Sequence, residues 1–78
     1  MINLRPEGLS QPHISVVSPV YRAEGCIQEL CRRLHAEVGA ITSNYEIILV
    51  DDASPDRSWD AIVVEAQADA HVIGIRLL

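Results

Sequence analysis

The 78-residue chain is 49% hydrophobic with a net charge of −5, which allows one small domain burying about 60–65% of the surface its unfolded form exposes. Its six basic residues are all arginines set against eleven acids, so no basic stripe exists for a phosphate backbone and nucleic-acid binding is disfavoured. The longest apolar runs, such as 47–50, fall far short of the roughly 20 residues of a membrane span.

Residues 1–12 carry Arg5 and Glu7 around Pro6 and Gly8 and end on Pro12. They read as a loose leader before a domain at 13–78, and their lack of an apolar core, unlike a signal peptide, points to the cytoplasm. Residues 13–18 form a first strand with Ile14, Val16 and Val17, stopped by Pro19. Its near-continuous apolar character predicts burial on both faces and a parallel sheet. From Glu24 to about Ile41, the residues Ile27, Leu30, Cys31, Leu34, Val38 and Ile41 recur at spacings of three and four, which makes one helical stripe. Arg32, Arg33 and Glu37 fall outside it, and the arginine pair reads as a solvated helix face. Cys26 and Cys31 lie about 140° apart around that helix, so they neither bridge locally nor share one metal. Both are expected to be reduced thiols, Cys31 in the core and Cys26 near the helix start.

Thr42, Ser43 and Asn44 break the chain before a second strand at 45–50. Ser54 is predicted as the N-cap of the second helix with Pro55 at its first position, where a missing donor costs nothing, and Asp56 complements the helix dipole. Trp59, Ile62, Val63 and Ala66 repeat at helical spacing to about Ala68, with Trp59 expected in the core. Asp69 and Ala70 turn the chain into a third apolar strand at 71–77. The fold class is therefore α/β: a β-α-β-α-β unit with a three-stranded parallel sheet of order 3-2-1 and two helices over it. His13, His35 and His71 sit on three different elements without ligand-like spacing and are assigned structural or surface roles. The chain has no Gly-x-Gly-x-x-Gly and no Gly-Lys-Ser/Thr loop, hence no dinucleotide or phosphate-cradling fingerprint.

The run Tyr45-Glu46-Ile47-Ile48-Leu49-Val50-Asp51-Asp52-Ala53-Ser54-Pro55-Asp56 drives an apolar strand into two adjacent carboxylates and then opens a helix. In open α/β sheets, ligands sit in the crevice at such strand ends. If the first two strands are neighbours, Ser18-Pro19-Val20-Tyr21 lies beside the acids. A carboxylate there accepts a base imide hydrogen or ribose hydroxyls, and the tyrosine offers a face for stacking. The competing reading is that Asp51 and Asp52 only cap the second helix and its loop.

These two motifs, in this order and spacing, resemble the glycosyltransferase family 2 enzymes of the GT-A fold over roughly 13–77. Ser54-Pro55-Asp56-Arg57-Ser58-Trp59 is most similar to the polyprenyl-phosphate sugar transferases such as dolichyl-phosphate mannose synthases. The unit then reads as a truncated GT-A, Rossmann-like nucleotide-binding segment. The resemblance implies that Pro19 and Tyr21 border the base, Asp52 bonds a uracil or guanine edge, and Asp51 with Glu24 supports the nucleotide loop. Arg22 stands where the family usually has Asn. The family's Asp-x-Asp metal motif and its acceptor-side acid are absent from these residues, so no catalytic residue, metal ligand or cofactor is assigned in this chain. Mg or Mn is expected for a complete enzyme at the cytoplasmic membrane face, with a UDP- or GDP-linked sugar as donor and a lipid phosphate as acceptor. The 78 residues alone are expected to be inactive and to form homo-oligomers through the first-strand edge. The alternative is a non-catalytic α/β module that associates through that edge. A receiver-like phosphorylation domain fits less well, because its acidic pair would follow the first strand.

Overall fold

The computed structural model describes residues 12–78; the expected leader lies outside them except for Pro12. The elements run β1 (Ile14–Val20), α1 (Ile27–Gly39), β2 (Tyr45–Asp52), α2 (Ser58–Ala68) and β3 (Val72–Leu77). All three strands pair in parallel with β2 in the centre, which is the expected order read from either edge. Consecutive β-α-β crossovers of one hand bring each new strand to the same side of the last, and this produces such an order.

Pro19 does not stop the first strand. It pairs in register with Val50, and β1 continues to Val20. As an edge strand, β1 needs donors on one side only, so a residue whose nitrogen points away from β2 gives up no ladder bond.

Burial on both faces is also not what the structure shows. Exposure alternates along β1, with Val17 61% exposed, and the other face of β3 leaves Ile73, Ile75 and Leu77 open. Both helices lie on one face. There Val20, Ile47, Leu49 and Val72 from the sheet meet Ile27 and Cys31 of α1 and Ile62 of α2, with Trp59, Leu30 and Leu34 packed around them. Same-handed crossovers in one direction place successive helices on the same side, so an apolar strand pattern alone does not tell which faces are covered.

The helix starts move as well. α1 begins at Ile27, after a turn in which the Cys26 amide donates to the Ala23 carbonyl at 2.9 Å, and Ile41 falls beyond the helix at 74% exposure. α2 begins at Ser58, so Ser54 is not its N-cap and Pro55 is not its first residue. Cys31 is buried, Cys26 is exposed, and both are free thiols, as expected. Arg32 and Arg33 both pair with Glu29 on the solvated face of α1.

Candidate functional site

β1 and β2 end side by side because they are parallel and in register, with Val20 opposite Asp51. The loop 21–26 after β1 and the loop 53–57 after β2 therefore leave the same end of the sheet. Tyr21 and Asp52 share that end, Tyr21 with 56% of its surface exposed and Asp52 likewise exposed. Pro19 lies on the open face of β1, next to Val50. Each loop leaves its strand through a residue in the left-handed region, Arg22 at φ 50° and Ala53 at φ 52°. For a residue with a Cβ, that conformation costs on the order of 1 kcal/mol and persists where surrounding contacts hold it. The Arg22 guanidinium carbon sits 5.5 Å from the Tyr21 ring centroid.

The contacts holding these loops are side chains of the second loop and of the first residue of α2 acting on the backbone of the first loop. The amide of Arg22 donates to Ser54 Oγ at 3.2 Å, that of Ala23 to Ser58 Oγ at 2.9 Å, and that of Glu24 to Asp56 Oδ2 at 3.4 Å. Three successive amides are thus captured by three alternate residues of the run Ser54-Pro55-Asp56-Arg57-Ser58. The Ser58 hydroxyl donates onward to Asp56 Oδ1 at 2.6 Å, and the Ser58 amide reaches the same oxygen at 3.1 Å. The hydroxyl bond from Ser58 is the main reason the Asp56 carboxyl is held below its ordinary pKa, with the Ser58 and Glu24 amides adding to it. Such bonds favour the charged form of the acid. The sequence contains this signal, a Ser-x-Asp-x-Ser alternation, but the same residue types also start helices, so the alternation alone does not decide between the two.

Alternation along β2 sends the two acids to opposite faces. Asp51 points to the helix side and is fully buried. Its Oδ1 accepts the Ser54 amide at 3.2 Å, so the acid anchors the second loop from beneath. Its Oδ2 has no hydrogen-bond partner and lies 3.7 Å from Nε of Arg76, which offsets the charge without making a bond. Arg76 also sits 5.7 Å from the Trp59 ring centroid. Sequence reasoning missed Arg76, although it is the register partner of Asp51 and follows from aligning the carboxyl ends of β2 and β3. Glu24 joins the site through its amide; the residue also lines a shallow groove of about 290 Å³ with Gln28, Ala61, Val64 and Glu65, between α1 and α2.

At this end of the sheet the residues do not fit a divalent cation. The free oxygen of Asp51 faces a guanidinium, and Asp52 points the other way, so the two adjacent acids do not converge, and among the described residues no group of three ligating side chains gathers at this end. What the arrangement offers is one exposed carboxylate and one exposed aromatic face on two braced loops. This is suited to the edge and face of a flat heterocycle.

The family model described as glycosyl transferase family 2 matches residues 15–77. The chain belongs to this family. Two undecaprenyl-phosphate 4-deoxy-4-formamido-L-arabinose transferases are similar to it: that of Shewanella sediminis is 40% identical and that of Salmonella paratyphi A 42% identical, each over 65 residues. A protein of the same description from Salmonella dublin matches at 42% identity. These alignments cover 82% of this chain and 20% of each relative, so the chain spans about a fifth of the length of the curated relatives it matches. Among the described residues no helix is long and apolar enough to cross a membrane.

Proposed function

We propose that these residues form the base- and ribose-binding wall of a family 2 glycosyltransferase that moves a sugar from a UDP- or GDP-linked donor to a polyprenyl phosphate. The observation that carries this reading is the pairing of exposed Tyr21 and exposed Asp52 at one sheet end, on loops tied together through Ser54, Asp56 and Ser58. Tyr21 and Pro19 border the base, Asp52 accepts from its edge, and buried Asp51 positions the second loop through Ser54. Glu24 supports the first loop through its amide. The relatives that act on undecaprenyl phosphate support the lipid acceptor. The complete enzyme takes Mg or Mn at the diphosphate, where a cation would offset the charge of the departing group, and works at the cytoplasmic face of the membrane. The chain on its own transfers no sugar, and its β1 edge, without a strand partner on its outer side among the described residues, associates with a second copy, which light scattering across a concentration series reads directly.

One stacking face and one or two hydrogen bonds, each worth about 0.5–1.5 kcal/mol net, stand against an association cost of several kcal/mol. Binding of UDP or GDP is therefore expected at a Kd of about 1 mM or weaker. Amide chemical-shift titration with each nucleotide tests this, with residues around Tyr21 and Asp52 expected to move and the response lost in Asp52→Ala. Shifts confined to other parts of the fold, or an unchanged response in Asp52→Ala, would refute the assignment.

A further inference from the structure

Two of the three histidines, far apart in the sequence, come together in the fold, while His13 pairs with Thr42 instead. His35 near the end of α1 and His71 just before β3 meet across Asp69, at the end of the sheet opposite Tyr21 and Asp52. Eight-residue β2 separates the two ends by roughly 23 Å at about 3.3 Å per residue. Nε2 of His35 lies 2.8 Å from Asp69 Oδ2, and Nδ1 of His71 lies 3.1 Å from Asp69 Oδ1. One ligand atom from each of the three residues falls within 4.8 Å of the others.

The second nitrogen of each ring is also engaged. His35 Nδ1 is 2.6 Å from the Tyr45 hydroxyl, and His71 Nε2 is 3.3 Å from the Ser43 carbonyl oxygen. The His71 ring stacks on Tyr45 with centroids 4.1 Å apart. His71 therefore has an oxygen acceptor at both nitrogens, while a neutral imidazole has only one N–H. With the hydrogen on Nε2 donating to Ser43, the Nδ1 lone pair points at a carboxylate oxygen, and a cation between them turns a repulsion into two bonds. A ligating histidine whose other nitrogen donates to a backbone carbonyl is the usual support of a metal site.

We propose that His35 Nε2, Asp69 and His71 Nδ1 bind a divalent transition-metal cation of the zinc class. Two imidazoles and one carboxylate suit zinc, cobalt or nickel rather than magnesium or calcium, which prefer all-oxygen shells. Ligand atoms around a tetrahedral ion with bonds of about 2.0–2.2 Å stand roughly 3.3–3.6 Å apart, so the 2.8 and 3.1 Å contacts, made to different oxygens of Asp69, open by roughly 0.2–0.8 Å, and any pair near the 4.8 Å limit closes by about 1.2–1.5 Å. The side chains of His35, Asp69 and His71 are 26%, 31% and 39% exposed, which leaves an entry path and room for water as a fourth ligand. Such an ion would fasten the end of α1 to the α2–β3 turn, with Tyr45 of β2 behind it, and so brace the fold away from the nucleotide end.

The test is titration of the chain with zinc chloride by calorimetry and with cobalt chloride by visible absorption. Expected are one ion per chain, cobalt bands of tetrahedral intensity and a rise in Tm with zinc. At free zinc a hundred times Kd, the folded-to-unfolded ratio should rise about a hundredfold. Asp69→Asn and His71→Asn should each abolish the cobalt bands, and Tyr45→Phe should weaken binding by about tenfold through the loosened His35 ring. Cys26→Ser should bind as the parent does. Failure of the parent chain to bind zinc at micromolar concentrations overturns the proposal, as does binding that survives His35→Asn with His71→Asn or is lost in Cys26→Ser. Circular dichroism of each variant separates loss of a ligand from loss of the fold.

Discussion

Replacing Ser58 with alanine should loosen both loops of the nucleotide end at once. Ser58 is fully buried, accepts the Ala23 amide at 2.9 Å and donates to Asp56. Alanine keeps the helix start and nearly the same volume, so the hydroxyl is all that is removed. The Ala23 amide, on a partly buried residue, then has no acceptor, which costs about 1–3 kcal/mol. Asp56 faces water and contributes little to that sum. A chain of 78 residues has a total stability of roughly 4–12 kcal/mol, so a loss near 2 kcal/mol is large, lowering Tm by about 8–15 °C. Urea unfolding measures the loss, and hydrogen exchange locates it, with faster exchange expected at Ala23 and little change at the centre of β2.

The acid limb gives a second check on the same substitution. The folded pKa of Asp56 lies below its ordinary 3.8, chiefly through the Ser58 hydroxyl. Its contribution is thus present above that value and is lost as pH falls through the depressed folded pKa. Without the hydroxyl this contribution shrinks, so the gap between parent and Ser58→Ala should narrow as the pH falls below 3.8 and through the depressed folded value. A Ser58→Ala protein within about 0.5 kcal/mol of the parent at neutral pH, with unchanged exchange at Ala23, would refute the bracing role.

Gly74→Ala should destabilise by about 1–3 kcal/mol in urea unfolding, because a Cβ there would stand 2.7 Å from Cγ2 of buried Ile62 and 3.3 Å from the Trp59 ring. Ala53→Gly and Ala36→Gly make the same chemical change and should differ in sign. Ala53 holds φ 52°, where glycine relieves about 1 kcal/mol of strain, whereas exposed Ala36 lies inside α1, where glycine costs about 1 kcal/mol; equal effects in the two would refute the strain at Ala53. Thiol titration should find one fast cysteine, Cys26, and one silent one. Burial pushes Cys31 from 9.0 up to about 11, so folding stability should be unaffected below pH 9 and fall as the pH rises toward about 11, where the unfolded thiol ionises first.

Local signals in the chain were enough for the element order and the parallel sheet. Apolar residues at spacings of three and four marked α1, β-rich runs marked the strands, and Val50-Asp51-Asp52 announced a strand end carrying acids. Each of these depends on residues close in sequence, where backbone geometry alone decides which side chains share a face. Element limits were less legible, because Ser54, Pro55 and Asp56 are as much loop-bracing residues as helix starters, and here they and Ser58 capture the amides of residues 22–24. The covered face of the sheet was not legible either, since an apolar strand pattern is the same whether helices lie on one side or on both. Arg76 beside Asp51 depends on the register of β2 against β3. The junction of His35, Asp69 and His71 depends on how the end of α1 meets the turn after α2. Those encounters join residues distant along the chain, and their partners are chosen by strand register and crossover hand, which exist only once the helices have packed on the sheet.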